Sequence, residues 1–142
     1  MRIIISAVLL FILVSPCWAV ESIISKNKEV ELCIKIHGEN DDECLSDVSD
    51  ETERLLADSY SRKLKEITAF DYTRWWRGTA EQKERMLALF KKNQQEWMQY
   101  RNDYCDLIST QAQGTHVFTE NMLSCIVNMN EARVKEIDNI TL

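Results

Sequence analysis

The chain has 142 residues, room for a single domain behind a leader, and 23 acidic residues against 17 basic ones give it a net charge of −6. A balance of this sign argues against nucleic acid as a partner, because phosphates demand a basic face. With three glycines and a single proline, the sequence is punctuated rarely and reads as a few long elements.

In chain order, Met1-Arg2 supplies a short positive start, and Ile3 to Val14 is an apolar run interrupted only by Ser6. Pro16 then breaks the helix, and Cys17-Trp18-Ala19 ends on the small residue that a signal peptidase accepts. A secretory signal is therefore expected over residues 1–19, with a mature domain over residues 20–142 and no membrane association after cleavage. An apolar run of about 12 residues falls short of the ~20 that span a bilayer. Pro16 stands where a lipid-attachment motif wants Gly, Ala or Ser, which argues against a lipid on Cys17.

Gly38, Gly78 and Gly114 divide the remainder into four helical segments, since a helix C-terminus favours a residue tolerant of positive φ. The first, Lys26 to Ile36, carries Val30, Cys33 and Ile34 on one face. A polar loop, Glu39 to Glu43, supplies acids to the positive end of the next helix. That helix is expected over Asp42–Ala69, with Leu45, Val48, Leu55, Leu56, Tyr60, Leu64 and Ile67 at helical spacing. The third begins at Thr79, with Gln82 completing a capping box, and its stripe is Met86, Leu87, Phe90, Trp97, Tyr104 and Ile108. The fourth opens after Gly114-Thr115 and shows Phe118, Met122, Cys125, Ile126, Met129 and Ile137. No segment alternates with period two. The expected fold is all-α, a small antiparallel bundle of three long helices plus a short N-terminal one.

Loss of Cys17 with the signal would leave four cysteines, Cys33, Cys44, Cys105 and Cys125. An even number in a small exported domain implies disulfides and an oxidising compartment, here the periplasm. Of the three possible pairings, Cys33–Cys44 with Cys105–Cys125 is preferred, because each pair brackets a short turn signal. A metal site would want a CxxC knuckle, which is lacking, and His37 and His116 lie elsewhere.

No motif supports catalysis. The two histidines fall at loops without a serine or cysteine motif to activate, bonded cysteines leave no thiol nucleophile, and no glycine-rich phosphate loop is present. The chain is not expected to be an enzyme or to need a cofactor. Trp97, Arg101 and Tyr104 share one helical face with Tyr100 beside them. They could form a binding hot spot, but Trp97 lies on the apolar stripe, which favours a structural role. Arg133, on the core side of the fourth helix, suggests a buried charged network. From Glu39 to Glu53 there are eight acids and no basic residue. Of these, Glu39, Asp41, Asp42, Glu43, Asp47 and Asp50 are candidate contacts for a basic protein, although acids at a helix start also favour the helix dipole. Trp75-Trp76, between the second and third helices, either plugs the end of the bundle or presents an anchor.

Gln94-x2-Trp97-x2-Tyr100-Arg101-x3-Cys105, Gly114-Thr115, Cys125 and Arg133 together resemble the bacterial lysozyme inhibitor LprI-like family. Its pattern ends in Q-x2-W-x2-Y-R-D-x2-C, a Gly-Ser turn and C-x3-L-T-x2-R, preceded by two cysteines and A-D-x2-L-N-x2-Y. Cys33 and Cys44 match those cysteines, and Leu56 and Tyr60 match part of the earlier motif. The chain departs at Thr52-Glu53 for Ala-Asp, Ala57 for Asn, Asn102 for the acid after Arg101, and Asn130 for Thr. Those departures withdraw a carboxylate and an amide from the surroundings expected of Arg101. The resemblance implies an exported helical protein whose partner is a lysozyme or another peptidoglycan hydrolase. The alternative of a different class is an accessory envelope or secretion-system protein, or an immunity protein, with no lysozyme target.

Overall fold

Each helix starts where a side chain satisfies the free N–H groups of its first turn. The computed structural model describes residues 24–39, 41–74 and 78–142; the expected signal segment, Asn40 and Trp75-Trp76-Arg77 lie outside the described residues. Helix α1 spans Lys28–His37, later than expected, because the Asn27 side chain accepts from the N–H groups of Glu29 (2.9 Å) and Val30 (3.3 Å). It ends at Gly38, whose N–H still bonds the Ile34 carbonyl and whose φ of 89° turns the following chain out of the helix. Helix α2 spans Asp42–Ala69, the expected range, and Asp41 caps it by accepting from the Cys44 N–H at 3.0 Å. After a 3₁₀ turn at Tyr72–Arg74, helix α3 spans Ala80–Ser109. Its capping box is formed as read: the Gln82 N–H donates to Thr79 Oγ1 (3.3 Å), and the Thr79 N–H donates to Gln82 Oε1 (2.9 Å). A further 3₁₀ turn, Thr110–Ala112, precedes α4 at Val117–Asp138.

The helices pack as an antiparallel bundle in which α4 lies chiefly against α2 and then α3, while α1 covers one end. No strand occurs among the described residues. The core has two parts. At the α1 end, Val30, Cys33, Leu45 and Val127 cluster, with Ile34, Cys44, Val48 and Leu123 around them. Toward the other end, Leu56, Ile67, Phe90 and Ile137 cluster, with Tyr60, Leu64, Leu87 and Trp97 among their neighbours. Tyr60 and Phe90 stack at 5.0 Å, joining α2 to α3. Both disulfides form in the local pairing, Cys33–Cys44 and Cys105–Cys125, with Cα separations of 5.8 and 5.6 Å. Met129 lies against the second, 3.6 Å from the Cys105 sulfur.

Two stripe residues are not core. Leu55 and Met86 are 43% and 38% exposed. Spacing correctly puts each near the apolar face, but each falls at its edge, where no further helix covers it. Asn128 was not anticipated. Its Nδ2 donates to the carbonyls of Ile24 (2.8 Å) and Lys26 (2.9 Å), and its Oδ1 accepts from Asn27 (2.8 Å), so α4 holds the approach to α1.

Candidate functional site

The expected constellation on α3 is a belt of polar contacts across the middle of the bundle. Arg101, 5% exposed, reaches out of α3 to both neighbouring helices. Its Nη1 donates to Glu53 on α2 (2.6 Å) and to Asn130 on α4 (2.5 Å), while Nε and Nη2 donate to Asn102 (3.1 and 2.9 Å). Asn130 in turn donates to Thr52 at 3.3 Å, and Thr52 donates to the Ser49 carbonyl. The departures from the family pattern therefore correct the expectation of lost partners. Thr52, Glu53, Asn102 and Asn130 are themselves the groups around Arg101, and Glu53 supplies the carboxylate from α2.

Arg133 forms the other half of the belt. Its Nε donates to the buried Gln94 at 3.0 Å, Nη1 to Glu136 at 2.9 Å, and Nη2 to Asn93. Trp97 lies close to both guanidinium groups, its ring centroid 5.6 Å from Arg101 and 5.3 Å from Arg133. Its negative π face attracts both cations, and the half-buried ring also packs on the apolar cluster. Tyr100 turns outward, 56% exposed, and stacks on Tyr104 at 5.7 Å. With its donors and acceptors occupied by one another, the belt offers no acid–base pair or nucleophile to a substrate.

The acids from Glu39 to Asp50 come together at the α1 end, around the start of α2. Glu39, Asp42, Glu43, Asp47 and Asp50 are exposed, whereas Asp41 is half-buried as the cap of α2. His37 lies 3.5 Å from Asp41, and His116 lies 3.7 Å from Glu39, linking the α1–α2 loop to the start of α4. Farther along, Arg54 donates to Glu51 and holds its carboxyl below the ordinary value of 4.5. On α1, Leu32 and Ile36 are 54% and 63% exposed one turn apart; they were not singled out from the sequence, where their outward register was the available signal. Trp75 and Trp76 lie outside the described residues, and the chain flanking them is at the opposite end of the bundle.

A groove of about 240 Å³ runs between α2 and α3, lined in part by Glu53, Ala57, Tyr60, Lys91, Gln95 and Met98. Ala57, where the family pattern has Asn, leaves one wall of it apolar. Among the described residues no His, Cys, Asp or Glu cluster is arranged to hold a metal, and no helix is long and apolar enough to cross a membrane.

No curated protein and no solved structure matches the chain. The family model described as lysozyme inhibitor LprI matches residues 34–137. That range runs from within α1 to the next-to-last residue of α4 and takes in the whole polar belt and the Cys105–Cys125 bond. A match over most of the chain, including the residues that join α2, α3 and α4, places this protein in the lysozyme inhibitor LprI family.

Proposed function

We propose that the protein is exported through a signal over residues 1–19, folds as residues 20–142 in the periplasm, and blocks a lysozyme or related peptidoglycan hydrolase by protein–protein contact. The observation that carries the reading is the family match over residues 34–137. Chemistry at the α1 end supports it. Exposed Glu39, Asp42, Glu43, Asp47 and Asp50 border the helix that presents Leu32 and Ile36. An apolar centre with an acidic rim fits a basic protein, the charges raising the rate of encounter and the apolar pair slowing departure. In this reading the protein is not an enzyme, and Gln94, Trp97, Tyr100, Arg101 and Arg133 position the helices instead of contacting the target.

The test is lysis of a peptidoglycan suspension by a c-type lysozyme, with and without purified residues 20–142. Lysis should slow as inhibitor approaches equimolar amounts, and the inhibition should weaken as salt is raised. The Glu43→Lys/Asp47→Lys variant should inhibit less while keeping its helical circular dichroism. Undiminished lysis at a large excess overturns the reading and leaves an accessory or immunity role.

A further inference from the structure

The outer side of α3 carries an apolar stripe that no helix of the described bundle covers. Met86, Leu89, Tyr100 and Leu107 are 38%, 57%, 56% and 69% exposed. Leu89, Tyr100 and Leu107 stand 11 and 7 residues apart in sequence, which returns nearly the same helical direction each time. This direction differs from the one in which Phe90 and Arg101 meet α2, and it faces away from the groove lined by Lys91, Gln95 and Met98.

Charges beside the stripe are sorted along the helix. Arg85 and Lys92 lie in its first half, Glu96 near its middle, and Asp103 and Asp106 in its second, all exposed and on one side of the stripe. The bundle as a whole is sorted in the same sense. Its α1-end half, residues 24–55 and 95–128, holds fourteen acids and five bases; the described part of the other half holds eight acids and ten bases.

We propose that a second copy of this chain covers the stripe, the two α3 helices running antiparallel across a two-fold axis near residues 96 and 97. In that register Met86 faces Leu107 of the other copy, and Leu89 meets its stacked Tyr100–Tyr104 pair. Flanking positions on the same side of the stripe face each other in an antiparallel pair. Arg85 and Lys92 of each copy then lie opposite Asp106 and Asp103 of the other. Glu96 falls at the axis beside its own copy, its charge offset by Lys92 of the same helix at 3.5 Å. Lys92 in turn lies between that carboxylate and Asp103 of the other copy. A parallel pair would instead set Arg85, Lys92, Asp103 and Asp106 opposite the other flank of the stripe, around Asn93 and Tyr104, where no opposite charge stands. The acidic half of one bundle also comes beside the basic half of the other. A strip from Met86 to Leu107 is about 31 Å long and about 10 Å wide, less than the roughly 1,200 Å² total of a lasting interface. The pairing is therefore a reversible dimer, formed in the range of tens to hundreds of micromolar.

Sedimentation equilibrium of the purified protein, both disulfides formed, tests this from 5 μM to 1 mM (a concentration range of roughly the width such a Kd requires). Expected is a monomer–dimer equilibrium that salt weakens. Leu107→Arg should abolish it with helical content unchanged. Lys92→Glu and Asp103→Lys should each weaken association about tenfold, and the double exchange should restore it, since each restored pair joins two copies. A monomer at every concentration overturns the proposal. So does a dimer that Leu107→Arg leaves intact, or an exchange pair without restoration. The proposed hydrolase contacts lie on α1 and α2, so loss of dimerisation with inhibition retained separates this inference from the functional reading.

Discussion

Arg101 shows how a buried charge can be read from sequence only halfway. Its place on the core side of α3 follows from helical spacing, and a partnered guanidinium is what burial requires. Its partners do not follow from spacing, because Glu53 and Asn130 are 48 and 29 residues away. They stand at family-motif positions where this chain has different side chains, so the substitutions looked like losses until the three helices were seen together. Glu53 is 38% exposed while Arg101 is 6% exposed by side chain, so the two ends of the pair are unequal. Truncating the carboxylate strands a charge that water cannot reach. Glu53→Ala is expected to cost about 3 kcal/mol, near the lower end for breaking a buried pair. Glu53→Asp, which keeps the charge, should cost markedly less. Urea unfolding of the two variants measures the difference, and equal losses would show that Glu53 acts by packing alone.

At the scale of elements, the sequence discloses helices better than it discloses what covers them. Asp42–Ala69 and the Thr79 cap were legible because capping side chains and long apolar stripes act locally. The outward turn of Leu55 and Met86 was not, since spacing defines a face but not how far a neighbour extends over it. The disulfides separate these two kinds of stability. Cys105–Cys125 closes 20 residues between α3 and α4, both long helices of the common core. Replacing both cysteines by serine is expected to lower global stability by about 3 kcal/mol through the freed unfolded chain. Cys33–Cys44 closes only 11 residues and fastens α1, a 10-residue helix too short to persist alone. Its double serine variant should lose amide protection in α1 while α3 and α4 remain protected. Hydrogen exchange resolved by residue distinguishes the two, and uniform loss in both variants would mean that α1 and the long helices unfold as one unit.

For the molecule as a whole, net negative charge and acid sensitivity follow from different carboxylates. Those at the α1 end supply most of the negative charge. Asp138 carries the acid sensitivity. The Ser59 hydroxyl donates to it at 2.6 Å and Arg62 at 2.5 Å, tying the end of α4 to α2, and chiefly the Ser59 bond, then Arg62, holds its carboxyl below the ordinary 3.8. Beside it Lys63 donates to the Ile140 carbonyl at 2.9 Å, so the C-terminal residues close the same end. Asp71, through Thr73, and Glu81, through its own backbone N–H and Thr79, are lowered in the same direction. A carboxyl whose folded pKa is depressed contributes stability in full above its unfolded value and loses it as pH falls through the folded value. The gap in unfolding free energy between the natural protein and Asp138→Asn should therefore be constant at neutral pH, begin to close below about pH 4, and go on closing as pH falls through the folded value. Denaturant titrations across that range measure it. A gap that persists in acid would assign the contribution of Asp138 to shape, and one that opens only in acid would reverse the sign of the linkage.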